Sequence, residues 1–427
     1  MKKRYIYAAI AAMTFIAVFT ACGSGNTASG AMQTTSSASA ENISAPDESS
    51  FETTLLDDGT LQITAYSGEA AVFAIPGSID GKTVSSIGDS AFAGNSDITS
   101  VTIPDSVTSI GEKAFSDCSR LSEIIIPSAV GSVGASAFFG TPWLNSQDGF
   151  VTAGTVLYAY NGNEKDVAVP DGIKTIGKFA FSDCSAEYIT LADGVETIEE
   201  AAFWCNAALK AVTFSDSVTS IGKYAFAYSP SLITVRLSPV SVIETGCFSG
   251  CSALESINIP ETVTEIKAGA FKGCSSLTDV LIPDSVTSME DSVFRGCTSL
   301  ASAKISESLT EIPDYTFCEC TSLTDVKIPA FVKTLCAGAF QECRLLTAIE
   351  IPDTVTKFEN SVFQKCSGLV SVTIPPSVDE IADYMFYGCE SLAEVNLPDT
   401  VKTVGKNSFK KCTLLEESGF IDTLPIE

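Results

Sequence analysis

The sequence contains no histidine. That absence removes Ser-His-Asp and Cys-His catalysis, His-ligated zinc and the usual near-neutral proton shuttle together. Positive charge is also scarce, with 25 Lys+Arg against 52 Asp+Glu and a formal net charge of −27. Such a chain repels polyanions, so no nucleic-acid partner is expected and a bare anionic membrane is a poor surface for it. Charged residues of either sign make up only 18%, while hydrophobic residues reach 45%. That is too little charge for a mainly disordered chain and enough apolar material for a continuous core. No Gly-rich phosphate loop follows a strand, and no paired carboxylates mark a perturbing pocket, so neither a cofactor nor a catalytic residue is expected. Metal-ligand spacing is missing too: the closest approaches are Cys318-x-Cys320 and the Cys247/Cys251 pair.

What the chain does have is a period. From Cys251 the same position recurs at Cys274, Cys297, Cys320, Cys343, Cys366, Cys389 and Cys412, 23 residues apart each time. A phenylalanine stands three residues before each of these, and the phenylalanine series runs from Phe92 to Phe409 in 14 coils. Within one coil, Leu277 leads into Val280 and Ile282, which alternate as a short strand; Pro283 ends it for lack of an N–H, and Val286 and Met289 point inward again before Phe294. One coil cannot bury these side chains alone. A fixed period of this length predicts one extended repeat solenoid, with one short parallel β-strand per coil and short turns or irregular helical segments opposite. Stacked at the usual strand spacing, the coils would run on the order of 65 Å.

The run Phe-x-x-Cys-x-x-Leu-x-x-Val-x-Ile-Pro-x-x-Val at 271–286, closed by Met289, resembles the BspA-type (Treponema-type) leucine-rich repeat, over about residues 80–415. The resemblance implies an exported or surface-attached bacterial protein. Some members of that family are adhesins for host matrix proteins.

The N-terminus has its own pattern. Lys2, Lys3 and Arg4 precede an apolar run, and Ala21-Cys22-Gly23 follows. This reads as an export signal and resembles the bacterial lipoprotein signal, which implies lipid attachment at Cys22 after removal of residues 1–21. Residues 22–50 are rich in Ser, Thr, Ala and Gly and read as a flexible tether with a reach of roughly 30 Å. Residues 51–80 are expected to form an N-terminal β cap, with a hairpin turn around Asp57-Asp58-Gly59. The solenoid then spans 81–415, and 416–427 are a short C-terminal cap in which Glu416–Phe420 begin a strand. From Phe138 to Phe181 the spacing is 43 residues, and the surplus at about 140–170 carries Trp143, Tyr158 and Tyr160. These aromatics are expected either to brace adjoining coils or, if exposed, to bind carbohydrate or mucin.

The recurring thiols read as a buried spine of small apolar side chains. They are expected to stay mostly unbridged, because parallel-stacked Cβ vectors do not suit the disulfide dihedral near 90°. The residue between the two inward strand positions should face outward. In successive coils that column reads Thr102, Ile125, Thr190, Thr213, Arg236, Asn258, Leu281, Lys304, Lys327, Glu350, Thr373 and Asn396. Arg236, Lys304 and Lys327 form a small basic stripe on an acidic protein. The functional expectation is a monomeric, non-enzymatic surface lipoprotein that binds a protein ligand through this column, with adhesion to host extracellular proteins as the narrower form. A carbohydrate-binding module and a structural envelope spacer are the alternatives.

Overall fold

The computed structural model describes residues 46–134 and 136–420, which fall into two compact units, one ending at Asn163 and the other beginning at Glu164. Both units are built of the short-strand repeat coils expected from the period, and the division falls where the 23-residue spacing is interrupted. The signal segment, Cys22, most of the tether and residues 421–427 lie outside the described residues. No described helix is long and apolar enough to cross a membrane.

The coil is clearest in the second unit. Leu277, Val280 and Ile282 are buried while Asp279 and Leu281 face solvent, as the two-residue period of a strand requires. Asp279–Leu281 is the first strand of the coil. Pro283 cannot continue the ladder, and its carbonyl instead accepts the Val286 N–H at 3.0 Å, turning the chain. Ser288–Met289 forms a second, shorter strand, with Met289 inward. Both strands pair in parallel and in register with their counterparts: Leu281 with Lys304 and Lys304 with Lys327 in the first ladder, Glu265 with Ser288 in the second.

A third ladder runs through the phenylalanines. Phe271 N donates to Val293 O at 2.9 Å and Phe294 N to Thr316 O at 3.0 Å. Each phenylalanine is bracketed by two residues in the left-handed region, two before it and two after it. Gly269 (φ 60°) and Gly273 (φ 74°) flank Phe271; Ser292 (φ 59°) and Gly296 (φ 75°) flank Phe294. This pair of reversals turns the ring into the core. There the Phe271 and Phe294 rings lie 5.4 Å apart and 2° from parallel, and the series continues from Phe181 to Phe409.

The first unit opens with Glu48–Ser50, a 3-10 turn capped by the Asp47 side chain, so residues 46–50 are not tether. Phe51–Leu55 and Leu61–Tyr66 then form an antiparallel hairpin. Its second strand pairs in parallel with Lys82–Ile87, and that ladder passes on to Ser109–Ile110 and Ser132–Val133. The hairpin thus covers the backbone edge of the first coil. At the other end of this unit the surplus segment forms a short helix, Pro142–Ser146, and a hairpin of Phe150–Ala153 with Val156–Tyr160.

The strand expected at Glu416–Phe420 is absent. Thr413–Ser418 is a helix that ends at Gly419 in the left-handed conformation. The Leu-Leu-Glu-Glu run favours helix and lacks the proline that punctuates other coils. Its Leu415 is buried, and Phe420 stands edge-on to Phe409 at 6.0 Å and 83°.

Removing a central ring by Phe294→Ala is expected to cost about 3–5 kcal/mol. Gly296→Ala meets nothing closer than 3.7 Å, so its expected cost of about 1 kcal/mol is backbone strain alone. Chemical denaturation of the two variants checks both values; a larger loss for Gly296→Ala than for Phe294→Ala contradicts this account of the turn.

Candidate ligand-facing strand surface

Every predicted column residue of the second unit faces outward. Thr190, Thr213, Arg236, Asn258, Leu281, Lys304, Lys327, Glu350, Thr373 and Asn396 are all exposed, with Leu281 at 51%. Parallel register places them side by side: Thr190 with Thr213, Arg236 with Asn258, Leu281 with Lys304 with Lys327, and Thr373 with Asn396. In the first unit Thr102 pairs with Ile125 in the same way.

The basic stripe divides on inspection. Arg236 is paired with Asp216 at 3.1 Å. Lys304 and Lys327 sit in register with each other and take part in none of the ion pairs among the described residues. Like charges directly opposite each other on a sheet repel, so this pair is a local electrostatic cost. At Glu187 the opposite arrangement holds. Glu187 lies between Lys165 at 2.6 Å and Lys210 at 2.7 Å, and these two ammonium groups, Lys165 foremost, hold its carboxyl down at about 2. Lys210 also lies 5.8 Å from the Tyr188 ring centroid.

The insertion aromatics are not a surface. Trp143, Tyr158 and Tyr160 are 8%, 8% and 6% exposed. Trp143 and Tyr158 meet the Phe138 ring edge-on at 4.9 and 5.8 Å, and the Phe138 N–H donates to the Tyr158 hydroxyl oxygen at 3.1 Å. Thr141 caps the short helix by accepting the Leu144 N–H. These residues brace the end of the first unit's phenylalanine series, and the exposure on which carbohydrate binding would depend is missing.

The thiols have a role that their spacing did not show. All 14 described cysteines are unbridged. Cys297 Sγ donates to the carbonyl of Phe271 at 3.3 Å, Cys320 to Phe294 at 3.2 Å and Cys343 to Phe317 at 3.2 Å, each reaching back 26 residues. The same carbonyl already accepts the N–H of its own coil's cysteine, as Phe271 O does from Cys274 at 3.1 Å. The thiol therefore fills a second lone pair of a buried carbonyl. Ser229 takes the position in its coil and makes the same bond, donating to Phe203 O at 3.1 Å. Burial pushes Cys251, Cys297 and Cys366 up to about 12, far from nucleophilic thiolates.

Among the described residues one trio, Asp314, Cys336 and Glu359, places potential metal donors within 4.8 Å of one another. Asp314 already accepts the Ala337 N–H at 2.8 Å, and Glu359 is paired with Lys357 at 2.8 Å. Its Cys336 is pushed up to about 12, by burial first and then by the surrounding carboxylates.

Parallel coils of this length, two short strands to a coil and an outward column, define a leucine-rich repeat solenoid. The chain belongs to the BspA type leucine rich repeat family, whose pattern matches residues 78–148, 153–252, 241–370 and 333–424. Among solved structures it is similar to a leucine-rich repeat protein from Bacteroides ovatus, at 27% identity over 91% of this chain and 99% of that one, with a TM-score of 0.49. A leucine rich cell surface protein from Faecalibacterium prausnitzii is 26% identical over 84% and 96% of the two chains, with a TM-score of 0.45. A leucine-rich repeat protein from Eubacterium ventriosum is 22% identical over 87% and 94%, with a TM-score of 0.43. No curated protein matches the chain.

Thiol titration under denaturing conditions without reductant should modify ten or more cysteines, whereas the native protein should react slowly; four or fewer modified on denaturation would refute the unbridged spine.

Proposed function

We propose that this protein is a non-enzymatic, lipid-anchored bacterial surface protein that binds a protein ligand through the outward column of its strand ladder. The observation that carries the reading is the Leu281, Lys304 and Lys327 group. An exposed apolar side chain stands in register beside two cations that lack a carboxylate, on a protein that pairs many of its others. A partner carboxylate laid across the pair would remove the repulsion between them. The repeat family supports a protein-interaction scaffold, and the surface description of the Faecalibacterium protein supports an external location. Cys22 as the lipid site rests on the signal-like sequence. A host extracellular protein is the narrower form of the ligand, and the acidic partner it requires is the testable part.

The spacer alternative predicts no ligand at all. The carbohydrate alternative loses the residues that motivated it, since Trp143, Tyr158 and Tyr160 are buried.

Lys304→Glu combined with Lys327→Glu should weaken capture of extracellular-matrix proteins at least tenfold while leaving thermal unfolding unchanged. Equal capture by the double variant removes this column from the binding role.

A further inference from the structure

The last coil carries a second, unrelated concentration of charge. Residues 402–411 contain Lys402, Lys406, Lys410 and Lys411 and no carboxylate. All four lysines are exposed, and none takes part in the ion pairs among the described residues. Two tyrosines of the preceding coil stand beside Lys406, Lys410 and Lys411, whereas the Lys402 N–H donates to Asp379 O at 2.8 Å. Backbone bonds fix this placement, since Tyr384 N donates to Lys406 O at 3.0 Å and Gly388 N to Lys410 O at 2.9 Å. The Tyr384 and Tyr387 rings are 5.9 Å apart and half-buried, and Lys411 Nζ lies 5.2 Å from the Tyr387 ring centroid.

Two of the surrounding carboxylates are bonded to backbone N–H groups. Asp383 accepts the Lys406 backbone N–H at 2.6 Å, and Glu416 accepts that of Lys411 at 2.9 Å, while Glu390 remains near the Lys411 ammonium. Lys365, one coil earlier than the tyrosines, is paired with Glu342 at 2.6 Å. The Tyr387 phenol registers the local field: it is held below its usual value, chiefly by hydrogen bonding to the Lys411 ammonium and further by Lys410 and Lys365.

From this geometry we infer that the last coil is a binding site for an anionic polysaccharide, with Lys406, Lys410 and Lys411 holding its sulfate or phosphate groups and Tyr384 packing against a sugar ring. The net charge of −27 does not oppose this, because exposed charges are screened beyond about 8 Å at physiological salt and the nearest charges decide. The combination of cations with ring faces favours a sugar polymer over a bare polyanion, which would use the lysines alone.

The test uses the whole folded chain with three probes: dextran sulfate, neutral dextran and inorganic polyphosphate. Dextran sulfate should bind with a steep salt dependence and neutral dextran should not. Lys406→Gln, Lys410→Gln and Lys411→Gln together should weaken that binding at least tenfold and lower the slope of log affinity against log salt by about 2. Lys272→Gln with Lys333→Gln, two exposed lysines outside both proposed sites, should leave it unchanged, which separates this site from the general surface charge. Tyr384→Ala should weaken dextran sulfate binding severalfold and leave polyphosphate binding as it was, with thermal unfolding confirming that each variant is folded. Absence of wild-type binding to dextran sulfate, equal losses in the two lysine sets, or equal effects of Tyr384→Ala on both anionic probes would each overturn the inference.

Discussion

The structure depends on one backbone constraint, the double reversal around each phenylalanine. Two left-handed residues four positions apart leave the chain no straight path past the ring, so the ring must enter the core and the adjoining N–H must meet the next coil. The reversal is costly for any residue with a Cβ, and many coils accept it: Tyr315 (φ 54°) and Glu319 (φ 64°) bracket Phe317 without a glycine. Ring stacking, the inter-coil ladder and the thiol bonds offset that cost collectively, since each is weak alone and repeats down the series.

The buried carbonyl of each phenylalanine explains why the thiol column persists. A carbonyl with one N–H donor is satisfied in the minimal sense, and the second donor from the next coil removes what remains of its desolvation penalty. A thiol is small enough to enter the core and apolar enough to be buried there, and its weak donor points along the stacking direction. That is a structural role, and it accounts for the absence of metal or redox spacing in so cysteine-rich a chain.

Much of the fold was legible because two periods overlap. The two-residue alternation set which of Val280, Leu281 and Ile282 faces outward, and the 23-residue recurrence carried that assignment from coil to coil. Features without a period were harder to read. The surplus around Trp143 and Tyr158 was readable as a brace on adjoining coils, but its particular contact, Phe138, was not, because that depends on tertiary packing. The Cys297 bond to Phe271 spans 26 residues and not 23, so a column-wise reading places its donor and acceptor in different columns. Lys402 to Lys411 were visible as a run, but they fall on different positions of the coil and so belong to no single column. Tyr384 joins them only through the pairing of one coil with the next.

The free thiols also bear on how such a chain survives its own biosynthesis. In the folded protein their protons are held by burial, whereas in an unfolded chain each would titrate near the ordinary thiol value and any two could couple. Folding and oxidation are then competitors for the same groups, and a chain that meets oxidant before its coils have closed would be trapped with crosslinks that no register of the stack can accommodate. Once closed, the same arrangement makes unfolding under oxidising conditions a one-way event, so persistence in the presence of oxidant becomes a matter of the rate at which coils open.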